Sequence, residues 1–141
     1  MSEPVLTKLE LIEGYKFRVK FDEDLPILLV DEMKPIGDGV GPNPSRLLST
    51  AVGHCLSSSL IYCLKKARVS IKKLDTSVAA SIERNKEGYL RVTGLNVKIQ
   101  LEVADEDKLK IPRCLAIFEN YCTVTQSVRQ GINVKVDINQ L

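Results

Sequence analysis

Four cysteines, Cys55, Cys63, Cys114 and Cys122, and a single histidine, His54, are the residues of this chain best suited to chemistry. A thiolate is both a nucleophile and a soft metal ligand, so the question is which thiols can cooperate. Cys55 and Cys63 share one stretch of helical periodicity. At their spacing they lie about 12 Å apart along a helix axis, too far for a disulfide within that helix. Cys114 and Cys122 repeat the spacing but straddle an expected helix break. Cys122 is thereby placed near the first turn of a helix beginning around Thr123, where unpaired amides and the positive dipole end stabilise a thiolate. Cys63 and Cys114, on apolar helix faces, are expected to be small packing residues. The chain has no close cysteine cluster and only one histidine, so no zinc site is expected. His54 adjoins Cys55, and neighbouring helical side chains diverge by about 100°, so the two do not make a Cys–His dyad.

The elements that must position these thiols follow from hydropathy. Tyr15, Phe17, Val19 and Phe21 alternate with Lys16, Arg18 and Lys20, the period of a half-buried strand, which points Arg18 away from the apolar face. With Val5 to Ile12 before it, across Glu13-Gly14, and Pro26 to Val30 after it, it predicts a three-stranded meander. A loop rich in glycine and proline, Lys34 to Pro44, leads into Ser45 to Arg68, where Leu47, Leu48, Ala51, Val52, Cys55, Leu56, Ser59, Leu60 and Leu64 recur at helical spacing. Its serines, Gly53 and His54 argue for a long buried helix rather than a membrane span. Two alternating runs, Leu74 to Arg84 and Tyr89 to Val103, joined at Asn85–Gly88, predict a long hairpin that covers one face of this helix. Asp105 to Tyr121 reads as a helix interrupted or delayed by Pro112, and Thr123 to Gln130 as a short helix stopped by Gly131. Ile132, Val134, Val136 and Ile138 then alternate as a final strand.

Composition narrows the class. The 141 residues suit a single domain, 1–141, burying roughly two thirds of its unfolded surface. Twenty basic against eighteen acidic side chains leave a charge of +2, no footprint for nucleic acid or an anionic membrane. The N-terminal residues lack the basic and apolar regions of a signal peptide, so the expected compartment is the cytoplasm, where four cysteines read as reduced, catalytic or metal-binding thiols rather than as two structural disulfides.

Two segments carry a resemblance. Gly41-Pro42-Asn43-Pro44-Ser45-Arg46-Leu47-Leu48 through Gly53-His54-Cys55, and Glu119-Asn120-Tyr121-Cys122-Thr123-Val124, are similar to the two cysteine motifs of the OsmC/Ohr family, and the order of elements also resembles that family's. The resemblance implies an α+β fold, antiparallel sheets wrapped around a long central helix, in an intertwined homodimer with its active sites at the interface. It also implies organic hydroperoxide reduction: Cys55 attacks the peroxide and becomes a sulfenic acid, and Cys122 resolves it as a disulfide. A sulfenic acid condenses with a nearby thiol before over-oxidising if the sulfurs can meet, and an apolar surrounding favours organic peroxides.

One position departs from the hydroperoxide reductases, where a glutamate follows the Asn-Pro pair and works with an N-terminal arginine: here Ser45 stands in that slot. Arg18, with Arg46 as another candidate, could supply the positive charge, or be a solvated cation beside Lys16 and Lys20. In these respects the chain resembles the less characterised OsmC-like branch more closely. No flavin or nicotinamide fingerprint is present, so no bound cofactor is expected and an external dithiol would recycle the disulfide. The alternative is a non-enzymatic protein that binds a small apolar ligand or senses redox state on the same scaffold.

Overall fold

The computed structural model describes residues 3–141, and the chain divides into two units after Leu48. In the first, β1 (Thr7–Glu13), β2 (Lys16–Phe21) and β3 (Leu28–Val30) form the expected antiparallel meander in the order β1-β2-β3. Gly14 takes a positive φ of 54° in the β1–β2 turn, which a side chain would strain. Leu9 opposes Val19 and Leu11 opposes Phe17. Val19 is buried, but Leu9 and Leu11 remain 56% and 60% exposed. The following loop closes on Asp31, a buried carboxylate that accepts the amides of Glu32, Asp38 and Val40 at 2.8, 3.1 and 3.2 Å. Burial opposes ionisation of Asp31, and the three amides outweigh it, holding the carboxyl below its ordinary value.

Helix α1 (Pro44–Lys66) begins where the sequence signals it. Asn43 caps it, its Oδ1 accepting the Arg46 amide at 3.1 Å, and Pro44 takes the first helical position, where no amide is needed. At the other end Arg68 adopts a left-handed φ of 58° while Val69 N donates to Leu64 O (2.9 Å) and Arg68 N to Lys65 O (3.0 Å). These are the two bonds of a Schellman cap, with arginine where glycine is usual, and Val69 and Leu64 join the same apolar cluster. By length and composition α1 could cross a membrane. It is instead a core helix: Val52, Leu56, Leu60 and Leu64 are buried within the second unit.

The long hairpin, β4 (Ile71–Arg84) and β5 (Leu90–Val103), pairs from Ile71↔Val103 to Arg84↔Leu90, with Gly88 at a positive φ of 90° in its turn. Gly53 brings α1 close to β4, since a β-carbon there would stand 2.7 Å from Val78 Cγ2. Ser57 crosses the same seam, donating to Gly53 O at 2.7 Å and sharing a hydrogen bond with Thr76. Toward the hairpin tip Ile82, Tyr89, Leu90 and Val92 are exposed.

In the C-terminal third one expectation is sharpened and one changes. Asp105 to Tyr121 is not one helix but a 3-10 turn (Asp105–Lys110), helix α2 (Ile111–Ile117) and a second 3-10 turn (Phe118–Tyr121). Pro112 sits in the first turn of α2, starting that helix late. Helix α3 (Thr123–Gln130) follows as expected and ends at Gly131. Residues 132–138 are not a strand here: Ile132, Val134, Val136 and Ile138 are 65–88% exposed. Alternation prepares a strand, but a strand exists only against a paired edge, and this segment has none in the single chain.

Candidate active site

In the second unit, α1 packs against the segment carrying α2 and α3 so that Cys55 meets Cys122 and Cys63 meets Cys114. Equal spacing on the two segments, met pairwise, requires them to run in opposite directions. No disulfide is formed and all four thiols are free.

The two pairs have opposite surroundings. Cys63 and Cys114 are enclosed by Leu60, Leu64, Val69 and Val103. Burial first, then the hydrogen bond with Cys63, push the Cys114 thiol up from 9.0 to about 11, so it stays protonated and inert. That is the packing role expected of both residues.

Cys122 is fully buried yet chemically prepared. It is the N-cap of α3, where an extended φ and ψ turn the chain into the helix. Its sulfur lies 2.9 Å from Thr125 Oγ1, and Cys55 and the Ser59 hydroxyl also reach it. Burial pushes this thiol up, but the Thr125 hydroxyl, Cys55, the Thr125 amide and Ser59 together bring it below its ordinary value. Cys55, partly exposed on α1, has its sulfur against the same helix end and accepts the Val124 amide at 3.4 Å. The loop before α3 is pinned by Glu119, whose carbonyl accepts Cys122 N (3.1 Å) and Gln126 Nε2 (3.1 Å) and whose carboxylate meets Arg129 at 2.6 Å.

The remaining expected residues are placed as follows. Arg18, on β2 of the first unit, faces Glu10 at 3.6 Å with its side chain 43% exposed. His54 is exposed on α1. Among the described residues no cluster of His, Cys, Asp and Glu could hold a metal ion. Sequence reasoning missed Thr125 and Ser59; only the short Cys-x-x-Thr spacing at a helix start hinted at the first. A groove of about 860 Å³ lies beside the Cys63–Cys114 cluster, lined by Leu60, Ile99, Leu101, Leu115 and Phe118 together with Lys72, Glu102 and Lys108. Ile99 and Phe118 also pack against the Cys122 cluster.

An α+β fold with small antiparallel sheets, a long core helix and two facing thiols at a helix N-terminus defines a dithiol protein of one particular architecture. Residues 37–137 match the model of the OsmC-like protein family, and the chain belongs to that family. Solved structures agree in fold. One is an OsmC-like protein of unknown function from Vibrio cholerae (14% identity, TM-score 0.78, covering 90% of this chain and 94% of that one). A second is an organic hydroperoxide resistance protein from Legionella pneumophila (16%, 0.66, 90% of each). A third, also from Vibrio cholerae, is a hydroperoxide resistance protein with captopril in one of its active sites (24%, 0.64, 100% and 96%). No curated protein sequence matches the chain.

Proposed function

We propose that this protein reduces organic hydroperoxides with the Cys55–Cys122 pair. Cys55 is the sulfur a substrate meets first, because it is partly exposed whereas Cys122 is fully buried behind it. Cys55 takes the terminal peroxide oxygen as a sulfenic acid and releases an alcohol, and Cys122 then displaces hydroxide to close the disulfide. The observation that carries this reading is the shared hydrogen-bonded position of the two sulfurs at the N-terminus of α3. The apolar residues packed around the pair, Val52, Leu56, Leu95 and Phe118 among them, suit the organic portion of a hydroperoxide, the class named for two of the similar structures.

The reading extends to a homodimer in the cytoplasm, recycled by an external dithiol and without a bound cofactor. Leu9 and Leu11 on β1 and the apolar residues of 132–138 are exposed, surfaces that a second copy would cover. Arg18 is its third proposed residue, a cation for the reactive thiolate, and Arg18→Ala tests it separately by a lowered rate of oxidation.

The test is one equivalent of cumene hydroperoxide on reduced protein, with free thiols counted, the disulfide mapped by mass spectrometry and turnover followed with excess dithiol. A Cys55–Cys122 bond with repeated turnover is expected. Unreactive thiols, or a single oxidation without turnover, would sink it and leave a binding or sensing protein.

A further inference from the structure

We propose that Glu119 and Arg129 are positioning residues for the Cys55–Cys122 pair: their ion pair locks the turn before α3 to that helix, and so keeps the Cys122 sulfur where it can close a disulfide on Cys55. The inference rests on the hydroperoxide reading above and adds to it the groups that set how readily the two sulfurs join.

Cys122 lies at the junction of two short elements, the 3-10 turn Phe118–Tyr121 and helix α3. Such a junction drifts unless the backbone on its two sides is tied together, and Glu119 makes the ties. Its carbonyl accepts Cys122 N and Gln126 Nε2, each at 3.1 Å, and its carboxylate receives Arg129 Nη2 at 2.6 Å. Gln126 N closes the ring by donating to Cys122 O at 3.0 Å. Residues 122, 126 and 129 share one face of α3, so one residue of the turn grips the helix from its cap to its last turn.

The turn is fastened to α1 by other groups. Tyr121 stands edge-on to Tyr62 with ring centroids 6.3 Å apart, and the Lys66 ammonium lies 5.1 Å from the centre of the Tyr62 ring. Helix α3 reaches the middle of α1 through the Val124 amide, 3.4 Å from the Cys55 sulfur, and through apolar packing of Val124 and Val128, which is not directional. Glu119 therefore couples the turn that Tyr121 holds on α1 to the helix that Cys122 begins.

A disulfide forms only in a narrow range of β-carbon separations and torsions, so a small drift of Cys122 lowers its chance of meeting Cys55. In the reaction the Cys122 sulfur attacks the Cys55 sulfenic acid; S–S forms as S–O breaks, and the hydroxide leaves with the Cys122 proton as water. Glu119 and Arg129 touch none of these atoms. Their side chains are 45% and 54% exposed, and an ion pair so placed adds little to global stability. Its loss should appear in the pairing of the sulfurs rather than in the fold.

The test reads the equilibrium between dithiol and disulfide on the full chain, in buffers of reduced and oxidised dithiothreitol and without peroxide, with the Cys55–Cys122 bond quantified by mass spectrometry. Two electrons and two protons pass from the two thiols to the oxidised dithiothreitol. Glu119→Ala and Arg129→Ala should each make the disulfide about tenfold easier to reduce, raising its potential by about 30 mV. The double variant should shift no further than either single one, and Arg129→Lys, which keeps the charge, should stay nearer to wild type. Urea denaturation of the reduced proteins should show stabilities close to wild type. Potentials that do not move in the single variants, shifts that add in the double variant, or a wild-type chain that forms no Cys55–Cys122 disulfide would overturn the proposal. Shifts as expected in a protein that does not turn over hydroperoxide defeat the functional reading alone, and turnover with unmoved potentials defeats the positioning role alone.

Discussion

The Val124 amide donates to the Cys55 sulfur at 3.4 Å, joining the first turn of α3 to the middle of α1 through a reactive atom. The bond serves both fold and chemistry: it satisfies one of the four amides that a helix start leaves without partners, and it turns that amide toward a sulfur that must carry charge.

Removing the acceptor should therefore cost more than removing the thiol. Cys55→Ala leaves the Val124 amide without its partner, whereas Cys55→Ser replaces sulfur with oxygen. Urea denaturation should place the alanine variant about 1 kcal/mol below the serine variant. Equal stabilities would mean that water takes over the amide.

The inner pair predicts an alkaline loss of stability. An unfolded thiol releases its proton near 9, while Cys114 in the fold holds its proton to about 11. The unfolded state binds fewer protons in that window, so stability should fall as pH rises through it, by roughly 2 to 3 kcal/mol at most. Cys114→Val should flatten this part of the curve relative to wild type. Burial of both side chains predicts that Cys63 and Cys114 remain unalkylated at pH 8 in folded protein that has lost Cys55 and Cys122 to oxidation.

Gly53 predicts a steric cost that can be relieved from the other side. A β-carbon there would lie 2.7 Å from Val78 Cγ2, and Ser57 fixes the same seam to Thr76. Gly53→Ala gains helix propensity yet should lose about 1 kcal/mol net to the clash. Adding Val78→Ala should recover part of the loss; thermal midpoints of the two single variants and the double variant decide whether the sites couple.

The unpaired segment 132–138 predicts the assembly. Its alternating apolar side chains are exposed in the single chain. If a second copy supplies the edge they lack, deletion of residues 132–141 should convert a dimer to monomer or aggregate in sedimentation. A truncated chain that remains a stable dimer would place the interface elsewhere.

Much of this was legible in the one-dimensional pattern because its causes are local. Alternation marked β1, β2 and the β4–β5 hairpin, and the Asn43-Pro44 entry, a cap followed by a proline that needs no amide, marked the start of α1. Cys122 was expected at a helix start and is the N-cap of α3. Tertiary structure decided the rest. Cys63 and Cys114 each read as a small apolar residue, and nothing in either neighbourhood says that they meet. Thr125 and Ser59 read as an ordinary first-turn residue and a helix-face serine until α1 and α3 pack and both hydroxyls find one sulfur. Residues 132–138 carry the pattern of a strand without being one, because a strand's hydrogen bonds belong to two segments and a sequence specifies only one of them at a time.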